Sequence, residues 1–496
     1  MNESIFQKLK EYGEGNTYPF HMPGHKRNPE SGPLSSFYRY DITEIDDFDN
    51  LHQPEGIILQ AQERAGRLYH SEETYFLVNG STSGILSAVS AVAHRGNKLL
   101  VARNCHKAVY HAAFLNKLEM EYVYPVMLSD YHLADGISAL QIEQKIREIA
   151  GRENCSLETV AQTIAGVILT SPTYDGILSD VKGIVEVAHR FNIPVIIDQA
   201  HGAHFGFHPA YPQSAVMDGA DIVIHSVHKT LPAPTQTALL HRNGSLVSGE
   251  VVRRYLRIYQ SSSPSYLLMA GIDTCMDILE REGTTRLNQL LKMRKDFDWQ
   301  IKNLKYIHAY PSMEQPEMGR GETWKSGMAE PGRLVLVVKE GYLTGQELYD
   351  ILRKKYQLQM EMCGANYVVA ILTMMDKKEG FDRLAKALFE IDSGMEQLME
   401  KLPEKQFISK MLNPQVCVPI WRAFGETGEE ISLKKADGKV VADFVNLYPP
   451  GIPLLVPGEK VDCEMIELIE KYLENGYTLQ GISKSEIGEN VLRVIV

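Results

Sequence analysis

Asp221-Ile-Val-Ile-His-Ser-Val-His-Lys-Thr230 is the stretch on which the reading of this chain turns. Asp221–His225 is a short apolar run, too short for a helix and typical of a strand buried on both faces. It runs into a small hydroxyl residue, Ser226, and then into His228 and Lys229. The stretch therefore offers one amine at a fixed place beyond a strand end. A lysine in that position is most often a solvated loop residue, so its meaning depends on what else the chain delivers to the same edge.

Working outward, Pro194-Val-Ile-Ile-Asp198 is a second apolar run, and it ends in a carboxylate. Residues 74–78, 98–102, 122–126, 166–170 and 237–241 read as further strands, with helical spacing over 57–69, 85–93, 108–116, 137–150 and 181–190. Apolar strands alternating with helices imply a mostly parallel sheet covered on both faces. In such sheets ligands bind beyond the carboxyl ends of the strands. The polar residues that follow or end strands are Ser81, Thr82, Ser83, His106, Asp175, Asp198, His201, Ser226, His228 and Lys229.

Asn79-Gly-Ser-Thr-Ser-Gly84 lies between a strand and a helix. That arrangement turns free backbone N–H groups and the positive end of a helix dipole toward an anion, although an ordinary Ser/Thr helix cap uses the same residues. It is not a Walker loop, and no G-x-G-x-x-G follows the first strand, which excludes a dinucleotide site of that type. Taken together, the strand ends hold an amine (Lys229), an anion cradle (Ser81, Thr82, Ser83), a carboxylate (Asp198) and a flat ring (His106). These are the four things the enzymes of pyridoxal phosphate (PLP) require. Asp198 would keep the pyridine nitrogen protonated, Lys229 would form the Schiff base, and Ser226 and His228 would reach the phosphate. A helix cap for Asp198 and a loop histidine for His106 are the plainer readings.

Beyond about residue 300 the pattern changes. Strands over 333–338 and 366–372 and helices over 344–355 and 380–401 suggest a smaller α+β unit, and Tyr448–Glu459 is too proline-rich for a regular element. The expected division is an arm at 1–60, a large domain at 61–300, a small domain at 301–404 and a C-terminal domain at 405–496. The arm holds His21-Met-Pro-Gly-His25 and the acids Glu44, Asp46, Asp47 and Asp49.

Composition narrows the function classes. The 496 residues are 44% hydrophobic and 23% charged, close to a typical globular chain. The net charge of -12 argues against a nucleic-acid partner. Six cysteines show no C-x-x-C pair, so neither a metal site nor a disulfide framework is expected. The N-terminus lacks a signal-peptide core, and no apolar run reaches membrane-spanning length, so a cytoplasmic protein is the expectation.

These motifs resemble those of the Orn/Lys/Arg decarboxylase family of bacterial fold-type-I PLP enzymes, in its short form without an N-terminal wing domain. The likeness runs through His21–His25, Asn79–Gly84, Arg103–Lys107, Pro172–Gly176, Asp198–Gly202, Ser226–Lys229, Ser261–Pro264 and Tyr448–Pro453, in the family's order. It implies a large domain with a seven-stranded, mostly parallel sheet, smaller α+β C-terminal domains, and decarboxylation of arginine, lysine or ornithine on a path to polyamines, with arginine favoured. It implies Lys229 as the Schiff-base lysine, Asp198 as partner of the ring nitrogen, and His106 stacked on the ring. Ser81, Thr82, Ser83, Ser226 and His228 fall in the phosphate shell. His228 or Lys229 returns the proton to Cα. Ser261, Ser262 and Ser263 would reach the cofactor of a neighbouring subunit in a homodimer. The family's larger members carry Trp where His201 stands, which leaves His201 among the cofactor-binding residues without a defined role. For the side-chain cation of the substrate the candidates are the arm acids, Glu361 and Glu459. Rival readings are an aminotransferase or lyase of the same fold, with Arg333 among the possible carboxylate holders, and a non-catalytic amine-binding homologue.

Overall fold

A computed structural model describes residues 4–129, 131–313, 323–339, 341–398, 411–447, 451–474 and 476–496. Its centre is the expected seven-stranded sheet. The strands are β1 (Glu73–Leu77), β2 (Lys98–Ala102), β3 (Glu119–Val123), β4 (Ile164–Thr170), β5 (Val195–Asp198), β6 (Ile222–His225) and β7 (Ala238–Arg242). Their spatial order is β1-β7-β6-β5-β4-β2-β3. β7 runs antiparallel to both neighbours, and the remaining pairs are parallel. The carboxyl ends of six strands therefore share one edge. β5 and β6 are buried at every position, as their unbroken apolar runs require. Side chains alternate between two cores: Leu77 and Leu240 join one, while Phe76, Val78 and Leu239 join the other on the opposite face.

Two boundaries differ most from the sequence reading, each for a physical reason. β3 starts at Glu119 rather than near Tyr122, because Lys98 pairs with the Glu119 and Glu121 carboxylates across the β2–β3 ladder. Charges that looked like loop are thus neutralised at the sheet margin, and Pro125, which has no N–H to donate, lies just beyond its end. The helix after β1 spans Gly80–Val92, five residues longer at its start than the apolar pattern indicates. The hydroxyl residues 81–83 form its first turn, where the Ser83 hydroxyl donates to the Gly80 carbonyl (2.8 Å).

A 36-residue helix, Tyr266–Ile301, leads out of the large sheet toward a four-stranded antiparallel sheet. That sheet contains Ile307–Tyr310, Arg333–Val338, Tyr367–Ile371 and Met362–Cys363, with helices Gly345–Tyr356 and Lys378–Leu398 contributing to its core. The buried Arg294 of the long helix donates to the carbonyls of Pro331 (3.1 Å) and Arg333 (3.0 Å), which fixes the start of the second strand. In the C-terminal part, Ile452–Leu455 is a strand after all, paired with Val445–Leu447. It is an edge strand, and Pro453 is tolerated there because an edge leaves N–H groups unused. Tyr448–Pro450 of the same motif lie outside the described residues. The arm forms a helix, Ile5–Glu14, that buries Ile5 and Leu9; the Ile5 N–H donates to Asp273 on the long helix (3.0 Å). Further along the arm Phe20 and Phe37 remain 89% and 60% exposed. Among the described residues no helix is long and apolar enough to cross a membrane.

Candidate active site

A cavity of about 580 Å³ opens at the carboxyl edge of the sheet. Its walls bring together Ser81, Thr82, His106, Asp198, His201, Ser226, His228 and Lys229, which the chain spreads over almost 150 residues. Asp198 ends β5 in register with Thr170 of β4 and Ile224 of β6. Lys229 lies in the single turn Val227–Thr230 that follows β6. Two neighbouring parallel strands thus deliver the carboxylate and the amine to one chamber. Burial pushes the Asp198 carboxyl up, and the Lys229 charge opposes that rise. Burial likewise lowers the Lys229 amine; Asp198 pulls it back up, Arg333 lowers it further, and Glu361 raises it. A less basic amine is the nucleophilic form required for attack on an aldehyde.

The opposite end of the chamber is the start of helix Gly80–Val92. Gly80 holds φ +72°, a left-handed conformation natural to glycine, and its N–H donates to the Gln236 carbonyl (2.9 Å). Asn79, Ser81, Thr82, Thr235 and Gln236 surround this end. Ser83 does not line the cavity: its hydroxyl is turned back onto Gly80, so its expected place in the phosphate shell is corrected to a bond within the helix's first turn.

His106 precedes helix Lys107–Leu115, and its Nδ1 accepts from the Ala108 N–H (3.2 Å). Burial, then the charges of Lys229, Lys107 and His111, push the ring down to about 4, so it is neutral and flat-faced at neutral pH. His228 Nδ1 donates to the Thr237 carbonyl (2.8 Å), which leaves the Nε2 lone pair free to accept. Three buried oxygens on the wall, Ser226 Oγ, Thr170 Oγ1 and Asn104 Oδ1, have no hydrogen-bond partner among the described residues. Buried polar atoms are normally paired. Unpaired oxygens, a helix N-terminus, a buried carboxylate and a weakened amine around one chamber form a donor set that fits a phosphorylated aromatic aldehyde.

Asn79, Asn104, Thr170, Tyr174, Ala200 and Ile452 also line the chamber and were not singled out from sequence. Asn104, Thr170 and Ala200 adjoin motifs already read there and were within reach. Ile452 lies within the Tyr448–Pro453 motif and comes from the C-terminal edge strand, which Arg103 ties down by donating to the Pro453 carbonyl (2.8 Å). Arg103 also pairs with the buried Glu459 (3.1 Å to Oε2), and the same oxygen accepts from the Val456 N–H (2.8 Å). Glu459 is therefore occupied and drops out as a reader of a substrate cation. Asp49 drops out as well. Although partial burial raises its carboxyl, bonds from the Glu55, Asn50, Gly56 and Ile58 N–H groups hold it low, at the start of helix Ile57–Tyr69. Glu44, Asp46 and Asp47 do not line the chamber. Glu361 stands at its margin, accepting from the hydroxyl of Tyr174. Ser261, Ser262 and Ser263 are exposed and outside the chamber, but the Ser261 N–H donates to Asn79 (3.0 Å), which lines it. Arg333 is fully buried and bonded to His201, not open to a substrate carboxylate.

Behind Asp198 runs a buried polar chain. Gln199 Oε1 accepts from the Ala215 N–H (3.1 Å) and from His225 Nε2 (2.9 Å); His225 Nδ1 then accepts from His241 Nε2 (3.0 Å), and His241 Nδ1 from the Thr74 hydroxyl (2.8 Å). Both rings must be neutral for this order of donors. Burial drives His241 down to about 3 and lowers His225 through burial and the nearby His241 and His204. A histidine whose folded value lies below its ordinary 6.5 stabilises the fold fully above 6.5, and that contribution is lost as pH falls toward the folded value. We therefore expect the cofactor-free protein to lose stability steadily below pH 6.5, with roughly 4 kcal/mol from His241 alone. Urea midpoints between pH 7 and 4 measure it; a flat profile would contradict the neutral chain.

The comparisons with known proteins agree with this geometry. Residues 4–380 match the family described as Orn/Lys/Arg decarboxylase, major domain, and residues 397–483 match its C-terminal domain. An arginine decarboxylase of Bacillus subtilis is 31% identical over 99% of this chain and 97% of its own length. The constitutive lysine decarboxylase of Escherichia coli is 22% identical over 94% of this chain and 75% of its own. In three dimensions the Francisella novicida lysine decarboxylase superposes with a TM-score of 0.83 at 19% identity, covering 99% of this chain and 81% of that one. The chain belongs to the Orn/Lys/Arg decarboxylase family.

Proposed function

We propose that this protein removes the Cα carboxylate of a basic amino acid, arginine foremost and lysine or ornithine next, with PLP held on Lys229. The observation that carries the reading is the convergence of Lys229 and Asp198 on one chamber. The first turn of Gly80–Val92, with Ser81, Thr82, Ser226 and His228, would hold the phosphate. Asp198 would hold a protonated ring nitrogen, and His106 would cover one face of the ring. Bound there, the cofactor supplies an electron sink for the bond to the departing carboxylate. The chain's own part is to orient that bond, keep water out with Ile452 and Tyr174, and return a proton to Cα from Lys229 or His228.

Tyr174 and Glu361 suit the far end of the substrate. Tyr174 lines the chamber, and its hydroxyl donates to Glu361, whose charge also reaches Lys229. A carboxylate beside the chamber wall would read a cationic side chain. Glu361→Gln is expected to raise KM for arginine about tenfold, the cost of one charge-assisted hydrogen bond, with a smaller change in kcat. An unchanged KM would remove Glu361 from substrate recognition. The active protein is read as a cytoplasmic homodimer in which Ser261, Ser262 and Ser263 approach the neighbouring cofactor, and its amine product feeds polyamine synthesis. The direct test is incubation with PLP and each of arginine, lysine and ornithine, followed by identification of the amine. Agmatine and CO₂ from arginine are expected; a keto acid would make the protein an aminotransferase.

A further inference from the structure

His201 is 4% exposed and sits between the side chains of Lys229 and Arg333. Its Nε2 lies 3.0 Å from Lys229 Nζ, and its Nδ1 is in hydrogen-bond contact with the guanidinium of Arg333. A guanidinium has five N–H donors, no acceptor, and does not deprotonate in proteins. His201 Nδ1 must therefore be the acceptor. Burial foremost, with the charge of Arg333 beside it, holds the ring well below its ordinary range, so it carries one proton. With Nδ1 bare, that proton is on Nε2 and points at Lys229 Nζ. An ammonium has three donors and no lone pair to receive it; a neutral amine has one. We propose that Arg333, acting through His201, fixes the imidazole tautomer and thereby holds Lys229 as the free base with its lone pair aimed at the ring.

The lock is itself held rigidly. Arg333 Nε donates to the Tyr174 carbonyl (3.1 Å), Glu330 lies 3.7 Å from its NH1 with both side chains fully buried, and Arg294 clasps its carbonyl. Gly176, at φ +92°, lets this side chain pass: a Cβ there would stand 2.5 Å from Arg333 Cγ. The Tyr174 ring packs edge-on against His201 with centroids 4.7 Å apart. Of the other charges that act on Lys229, Asp198 and Glu361 favour the ammonium, while Arg333 and burial oppose it. His201 tips that balance through a directional bond. With Nδ1 engaged it has no place for a second proton unless Arg333 moves, so it is a positioning residue rather than a general base.

This inference rests on the assignment of Lys229 as the reactive amine, and its test needs no bound cofactor. In the ¹⁵N-histidine spectrum of the full chain, the His201 signal, assigned by its loss in His201→Phe or His201→Trp, should show a protonated Nε2 and a bare Nδ1. A proton on Nδ1, or a charged ring at neutral pH, would overturn the proposal. The pH dependence of reductive methylation at Lys229, followed by peptide mass spectrometry, gives the second reading. His201→Phe should raise its midpoint by about one pH unit, a tenfold gain in proton affinity. His201→Trp should restore it, because an indole N–H can only donate. An unchanged midpoint in a folded His201→Phe protein sinks the proposal, whereas cofactor attachment at some other lysine would sink the assignment of Lys229 instead.

Discussion

Replacing Lys229 with alanine is expected to lower kcat for arginine by about 10⁴-fold, roughly 5.5 kcal/mol of transition-state stabilisation. The size follows from how much the one side chain does in this reading. It is the point of cofactor attachment and a candidate donor of the proton to Cα, and among the described residues the wall of the chamber holds no second lysine. His228 is the other candidate, and it could donate only after its free Nε2 lone pair had taken up a proton. The fold should survive, because removing an amine from a desolvated site relieves a cost rather than opening a packed core. Steady-state kinetics with saturating PLP, alongside near-ultraviolet circular dichroism, checks both halves. Retention of more than a tenth of the wild-type kcat would contradict the assignment.

The second large effect is expected at Asp198. Asn at this position keeps the shape and can still accept from the Ala200 N–H, as Asp198 Oδ1 does at 3.2 Å. What it lacks is the charge, in a place 3% exposed where that charge would meet the protonated ring nitrogen. Losing one partner of a buried ion pair costs about 4 kcal/mol, which as a barrier is about a thousandfold in kcat. Cofactor affinity should fall as well, because the neutral ring nitrogen no longer meets a counter-charge. Kinetics and equilibrium dialysis against PLP separate the two losses. A fall of less than tenfold in kcat would remove Asp198 from the chemistry.

The parts of this site that were legible in the sequence share one property: each ends or directly follows an apolar strand. Asp198, Ser226 and Lys229 could be placed together because parallel strands deliver their carboxyl ends to one edge, whatever the details of packing. Ser83 was misplaced because three consecutive hydroxyl residues look alike in sequence, while the helix turns each to a different side. The start of β3 was hidden because glutamates at a sheet margin become strand residues only when a lysine on the next strand neutralises them. Arg333 and Ile452 could not be placed from local pattern. Both lie on strands of other sheets, and only the closing of the chain brings them to the chamber wall or just behind it. The role of Glu459 was likewise invisible, since its partner Arg103 lies more than 350 residues away in the chain. Apart from Ser83, the deciding contact in each missed case spans separate sheets or neighbouring strands, and periodicity carries no information about such pairs.

The most direct test of the central claim is to locate the covalent link. The protein is incubated with PLP, reduced with borohydride, digested, and the modified peptide is sequenced by mass spectrometry. A single pyridoxyl label on Lys229 is the predicted result, absent in Lys229→Ala and much weakened in Asp198→Asn. A label on any other lysine, or no label at all from a folded protein, would contradict the account.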